Sequence, residues 1–113
     1  MPQPVTFSPL RTEIAGQSVN ALADRFGTPT FVYDAAKILE RVNDLRSFDV
    51  IRYAQKACSN IGILDLIRRH GVLVDAVSAG EIRRALAAGY QATVSDQKAP
   101  PPLVYTADIF DAE

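Results

Sequence analysis

The sequence predicts a protein of the α/β class, built from short parallel strands that alternate with helices. Two observations lead to this prediction. From Asp49 onward, apolar strand-like segments alternate with segments whose apolar residues recur at helical spacing. Each of these helical segments begins after a plausible capping residue and ends at a glycine. A strand, a helix and a second strand in succession form a parallel unit with a right-handed crossover.

Composition narrows the class of protein further. The chain has 113 residues, of which 48% are hydrophobic and 22% charged, as in one small globular domain or part of a larger one. The formal net charge is −1 and the basic residues are scattered, which argues against nucleic acid and anionic membrane as partners. The chain shows neither a secretory signal pattern nor an apolar run of the roughly 18 residues that a membrane span needs. We therefore expect a cytoplasmic protein whose partners are small molecules or proteins.

The first third of the chain contains one predicted helix and one predicted strand. The segment SVNALADRFG has apolar residues on one helical face, with Ser18 as a cap and Gly27 as a stop. The β-branched and aromatic residues of TPTFVYD predict a strand at residues 30–33. Asp34 is the predicted cap of a second helix, residues 35–45.

The rest of the chain is expected to contain three strands and two helices. Asn60 precedes the first of these helices, and Ser78 with Glu81 forms a capping box in front of the second. Three consecutive prolines in residues 91–102 disfavour both helix and central strand, so this stretch is predicted to be a loop. The predicted elements are a strand at 50–54, a helix at 61–69, a strand at 73–77, a helix at 80–88, a strand at 103–108 and a helix start at Asp111.

These elements amount to two β/α units and a third strand of a parallel sheet, which is an open half-structure. Residues 1–34 are the predicted N-terminal helix and strand segment, and residues 35–113 the first β/α units. A parallel sheet is normally covered on both faces, and a complete β/α barrel has eight units and ~250 residues. We therefore expect the chain to be a fragment of a larger protein.

Lys56 lies at the carboxyl end of the predicted strand at 50–54, in the stretch IRYAQKACSN. In β/α proteins the carboxyl ends of strands are where ligands bind and reacting groups lie. A lysine amine in that place can form a Schiff base with an aldehyde. Asp75, near the end of the next strand, and Ser78, just past it, are candidates for the same rim. Their structural alternatives are a solvated lysine, a turn acceptor and a helix cap.

The run YAQKACSNIGILDLIRRHG, residues 53–71, favours the chemical interpretation of Lys56. It resembles the pyridoxal-phosphate attachment segment of the ornithine, arginine and diaminopimelate decarboxylase family. The segments FGTPTFVYD, FDVIRYAQKACSN, VDAVSAGEIRRALAAGY and VYTADIFD resemble successive parts of the diaminopimelate decarboxylase branch. Many members carry Asn at the position of Cys58, although one bacterial branch has the Ala-Cys-Ser-Asn found here. Residues 91–102 depart from the family, which usually has a shorter connection there.

The resemblance implies a fold-type III enzyme with an alanine-racemase-like, TIM-type parallel β/α barrel that binds the cofactor, and residues 35–113 would be its first units. It also implies a second β domain, which the strand at residues 30–33 would join. It further implies that Lys56 attaches pyridoxal 5'-phosphate and that Asp75 is its neighbour at the cofactor. Ser78 and Glu81 lie in the matched motif and have only a supporting role. The implied reaction is decarboxylation of meso-2,6-diaminopimelate to L-lysine by a homodimeric enzyme.

The resemblance also implies that important parts are absent from this chain. The family's glycine-rich phosphate loop, its acidic partner of the pyridine nitrogen and the segment donated by the other subunit would follow residue 113. We therefore expect little decarboxylase activity from the chain alone. Two alternatives stay open, namely a non-catalytic cofactor-binding or regulatory relative and an ornithine- or arginine-type decarboxylase.

Overall fold

The computed structural model describes residues 9–106, which divide into two compact units. The first unit extends to Ala36 and the second begins at Lys37. Residues 107 and 108 of the third predicted strand, and the predicted helix start at Asp111, lie outside the described range. Within that range no helix is long and apolar enough to cross a membrane.

The first unit opens with a small antiparallel hairpin that the sequence analysis did not predict. Strand β1 (Glu13–Ile14) pairs with strand β2 (Gln17–Ser18). The two residues between them, Ala15 and Gly16, both have positive φ, at 50° and 73°. Positive φ at both central positions is the geometry of the turns that match strand twist in two-residue hairpins. Ala-Gly is a weak sequence signal for such a turn, because alanine rarely adopts this conformation.

Helix α1 (Val19–Phe26) follows the hairpin directly and confirms the first predicted helix. The Ser18 side chain accepts a hydrogen bond from the backbone N–H of Ala21 at 3.4 Å. Gly27 ends the helix with φ 77°, a conformation that favours glycine. Both predicted boundary residues therefore have the predicted roles.

The prediction of a strand at residues 30–33 is wrong, because the structure shows none there. These residues belong to neither of the two sheets that residues 9–106 form. The side chain of Phe31 is 89% exposed. Local β propensity does not suffice for a strand, because strand residues must pair their backbone groups with a neighbouring strand.

The second unit confirms the predicted alternation of strands and helices. Its three strands are all parallel and lie in the order β3-β4-β5. Residues 91–102 contain neither helix nor strand, as predicted for the proline-rich loop. The elements are α2 (Ala35–Asp44), which begins at the end of the first unit, β3 (Arg52–Ala54), a 3-10 turn (Gln55–Ala57), α3 (Ile61–Arg69), β4 (Leu73–Ala76), α4 (Ala79–Ala87) and β5 (Leu103–Tyr105).

The strand register gives the sheet one apolar and one mixed face. Tyr53, Val74 and Leu103 pair across the sheet and contribute to the hydrophobic core. Successive side chains along a strand point to opposite faces. The next paired row, Ala54, Asp75 and Val104, therefore faces away from the core. The core itself consists of Leu64, Ile67, Val72, Val74, Ala85, Ala88 and Tyr90, with Ile38 and Val42 of α2 packed against it.

The carboxyl ends of α3 and α4 are joined through Arg68. Its Nε donates to the backbone carbonyl of Ala88 at 2.8 Å, and its Nη2 forms an ion pair with Asp65 at 2.8 Å. The hydrogen bond from Arg68 lowers the pKa of Asp65. Gly89 has φ 94°, and a Cβ there would lie 3.0 Å from the Arg68 Nε. The glycine predicted to end this helix therefore also makes room for the arginine.

Replacing Leu64 by alanine should test the core. Leu64 is fully buried, so Leu64→Ala should lower the free energy of unfolding by about 2–5 kcal/mol through lost burial and a residual cavity. The matched control is Leu86→Ala in α4, whose side chain is 43% exposed and which should lose much less. Urea denaturation of both variants measures the difference. Equal losses would contradict the assigned core.

Alkaline pH should destabilise the second unit through Tyr90. Its hydroxyl donates to the Val72 carbonyl at 2.8 Å, and burial raises its pKa to about 12. A tyrosine in the unfolded chain ionises near pH 10. The contribution of neutral Tyr90 to the free energy of unfolding is therefore fully present below about pH 10 and is lost as the pH rises toward 12. Denaturation midpoints measured between these pH values should fall less steeply in Tyr90→Phe. An unchanged slope in that variant would show that other groups cause the alkaline loss.

Candidate functional site

Lys56 occupies the centre of the 3-10 turn Gln55–Ala57, which follows β3 without a break. The turn lies at the carboxyl edge of the sheet, because the strand runs directly into it. Lys56 and Ala57 are exposed, whereas Gln55 is fully buried. The sequence predicts Lys56 at the strand end, but it carries no signal for the turn that presents the side chain to solvent.

Hydrogen bonds fix the backbone on both sides of Lys56. The Tyr53 hydroxyl donates to the Cys58 carbonyl at 2.9 Å. The Ser59 hydroxyl donates to the Gln55 carbonyl at 3.1 Å. Arg84, from α4, donates through Nη1 to the Ser59 carbonyl at 3.3 Å. The exposed lysine is therefore carried by a segment whose backbone is held in place.

Gln55 is a buried polar residue at this edge for which the sequence predicts no role. Its side chain is completely buried, yet neither Nε2 nor Oε1 makes a hydrogen bond with any residue between 9 and 106. Burial of an unpaired amide costs on the order of 1–3 kcal/mol on scales from protein mutants. Glutamine is usually exposed, so the sequence offered no signal for this burial beyond the position next to Lys56.

Asp75 lies on β4 and pairs with Ala54 of β3. Ala54 is two residues before Lys56 in the chain. The Oδ1 of Asp75 is buried and has no hydrogen-bond partner among the described residues. The carboxylate and the lysine therefore belong to the same edge of the sheet, as the sequence predicted. An accessible amine suits a ligand with an aldehyde, and an unpaired buried carboxylate oxygen suits a ligand that brings a hydrogen-bond donor or positive charge. These groups fit the cofactor that the sequence resemblance implies.

Ser78 lies at the start of α4 and caps it. Its hydroxyl oxygen accepts from the backbone N–H of Glu81 at 3.2 Å. The Glu81 carboxylate accepts in return from the backbone N–H of Val77 at 2.7 Å. This reciprocal pair is the predicted capping box. The structure thus gives Ser78 a helix-capping role at the same edge as Lys56.

A parallel β/α sheet with a lysine exposed at its carboxyl edge and a carboxylate on the next strand is consistent with part of a β/α barrel, the class in which ligands bind at that edge. The family model for the pyridoxal-binding domain of pyridoxal-dependent decarboxylases matches residues 34–98. The chain belongs to this family of pyridoxal-dependent decarboxylases. The matched range includes Lys56, Asp75 and Ser78.

Two similar sequences and one similar solved structure carry the name diaminopimelate decarboxylase. Diaminopimelate decarboxylase of Streptomyces coelicolor is 55% identical over 96 residues, which cover 85% of this chain and 21% of that protein. Diaminopimelate decarboxylase of Escherichia coli strain K12 is 50% identical over 100 residues, which cover 88% and 23%. A crystal structure of diaminopimelate decarboxylase superimposes with a TM-score of 0.75 at 50% identity, covering 89% of this chain and 24% of that one. The chain thus spans less than a quarter of the length of these relatives, and the predicted family and partial-barrel fold are confirmed.

Two substitutions at Ser78 test whether its hydroxyl stabilises the fold by helix capping alone. Alanine at a helix cap costs about 0.5–2 kcal/mol, whereas glycine costs only a few tenths. We expect Ser78→Ala to lower the thermal stability of the chain clearly and Ser78→Gly to lower it little. Ser95→Ala, at an exposed loop position, is the control and should have almost no effect. Equal losses in the alanine and glycine variants would show that the hydroxyl stabilises the fold by something other than capping.

Proposed function

We propose that this chain is the cofactor-attachment part of a diaminopimelate decarboxylase, the enzyme that converts meso-2,6-diaminopimelate to L-lysine and carbon dioxide in lysine biosynthesis. The observation that carries the proposal is the exposed Lys56 at the carboxyl edge of the sheet, inside the range matched by the pyridoxal-binding model. The substrate follows from the name shared by relatives that are 50–55% identical.

In this proposal Lys56 attaches pyridoxal 5'-phosphate through its side-chain amine. The cofactor supplies an electron-withdrawing ring that stabilises the carbanion left when the carboxylate leaves as carbon dioxide. The chain's own contribution is to hold that amine exposed on a fixed backbone segment, so that little motion is needed for attachment.

Asp75 and Ser78 have supporting roles in the same proposal. The buried Oδ1 of Asp75 can accept a hydrogen bond from a donor brought to the edge beside Lys56. The Ser78 oxygen already accepts from the Glu81 N–H, so its hydroxyl can still donate its hydrogen and accept one further hydrogen bond. Support for both roles comes from their place at the same edge as the lysine.

In this proposal the complete reaction requires parts of the enzyme that this chain does not contain. The chain spans about a quarter of the matched structure, so the phosphate contacts, the substrate pocket and a homodimer belong to the full length of the enzyme. A cytoplasmic location is part of the same proposal. We expect the 113-residue chain to attach the cofactor but to decarboxylate little substrate.

Reductive trapping tests the proposal directly. Pyridoxal phosphate is added to the chain, the adduct is reduced with borohydride, and the modified lysine is found by peptide mass mapping. We expect Lys56 to take up about tenfold more label than Lys37 or Lys98, equivalent to ~1.4 kcal/mol in favour of that site. Lys37 already forms an ion pair with Glu40 at 2.7 Å, and Lys98 lies in the proline-rich loop.

Matched variants complete this experiment. Lys56→Arg keeps the positive charge and should remove the selective label, whereas Lys37→Arg should leave it unchanged. Asp75→Asn should weaken labelling of Lys56 without changing that of Lys98. Equal labelling of the three lysines in the unmodified chain would overturn the proposal.

A further inference from the structure

The hydroxyl of Tyr53 bridges the turn that carries Lys56. Tyr53 is the second residue of β3, and its hydroxyl donates to the Cys58 carbonyl at 2.9 Å. The bridged residues flank the turn Gln55–Ala57 on either side. The hydrogen bond therefore closes a short loop of backbone with Lys56 inside it.

The donor end of this bridge is fixed by the core. The Tyr53 side chain packs against the buried cluster that includes Leu64 and Val74. A tyrosine hydroxyl keeps its proton at neutral pH and is therefore a donor there, and burial raises the pKa of the Tyr53 phenol further from that range. Because the ring is held by packing, the bond ties the Cys58 carbonyl to the core of the second unit.

The other end of the turn is fixed independently. Gln55 is completely buried, and its carbonyl accepts from the Ser59 hydroxyl at 3.1 Å. Between this buried anchor and the tyrosine bridge lie Lys56 and Ala57, which are both exposed. The direction in which the Lys56 side chain leaves the backbone is thus restrained on one side by the buried Gln55 and on the other by the Tyr53 hydroxyl.

We propose that Tyr53 is a positioning residue for Lys56, acting through its hydrogen bond to the Cys58 carbonyl. The relevance of this role to cofactor attachment rests on the proposed function, although the restraint on the turn is a property of the chain itself. Loss of the hydroxyl removes the restraint on the Cys58 carbonyl and leaves the contacts of Ser59 in place, while the aromatic ring stays in the core.

Tyr90 provides a matched control for the stability cost. Its hydroxyl makes the same kind of bond, to the Val72 carbonyl at 2.8 Å, and its side chain is buried. Val72 immediately precedes β4, so this bond lies at the amino end of the sheet, away from Lys56. Tyr53→Phe and Tyr90→Phe therefore each remove one tyrosine bond to a backbone carbonyl, at opposite edges.

The test uses the 113-residue chain and these two variants, with circular dichroism to check folding. The first measurement is amide hydrogen exchange by NMR at residues 55–58, without any cofactor. We expect Tyr53→Phe to speed exchange there about threefold to tenfold, the effect of losing one hydrogen bond, and Tyr90→Phe to leave it unchanged. Equal exchange in all three proteins would overturn the positioning role.

The second measurement is the ratio of pyridoxal phosphate label on Lys56 to label on Lys98 after borohydride reduction. Tyr53→Phe should lower this ratio about threefold to tenfold, whereas Tyr90→Phe should keep it at the unmodified value even where it destabilises the chain equally. A ratio unchanged by Tyr53→Phe, with selective labelling in the unmodified chain, would overturn the inference and leave the proposed function standing. If the unmodified chain labels without selectivity, the proposed function fails, and hydrogen exchange alone decides the positioning role.

Discussion

The parallel register of β3, β4 and β5 is the constraint on which the site depends. It pairs Ala54 with Asp75 and Asp75 with Val104, so the three strands reach the same edge together. The register also decides which side chains face the helices, because neighbours along a strand point to opposite faces. A slip of one residue would send the Asp75 carboxylate into the apolar core and Val74 out of it. In the slipped register the half-buried carboxylate would lose its remaining contact with water. The cost of that desolvation favours the observed register.

The two helices that follow β3 and β4 pack their apolar residues against the same face of the sheet. This packing favours the register in which that face is apolar. Each helix begins at the edge where Lys56 lies, with Asn60 accepting from the N–H groups of α3 and Ser78 from that of Glu81 in α4. Their opposite ends are joined by Arg68 through the carbonyl of Ala88. Several polar groups of the helix ends are thereby paired with local side chains, and the apolar faces are left to pack on the sheet.

The Lys56 turn combines exposure of an amine with restraint of its backbone. A group that attaches a ligand must be accessible, and a group that holds it in one orientation must be fixed. The buried Gln55 and the Tyr53 bridge provide the restraint, and the short 3-10 turn provides the exposure. A longer loop at this place would present the same lysine with a larger loss of conformational entropy on attachment.

The sequence by itself determined the features that depend on neighbours a few residues away. The capping box at Ser78, the glycine ends of the helices, the order of strands and helices, and the place of Lys56 at a strand end were all predicted, because each has its signal within one short segment. Only the tertiary structure decided the burial of Gln55, the partner of the Tyr53 hydroxyl and the failure of residues 30–33 to form a strand. These features depend on which distant groups pack or pair with them, since burial and strand pairing are properties of the folded neighbourhood and not of local propensity.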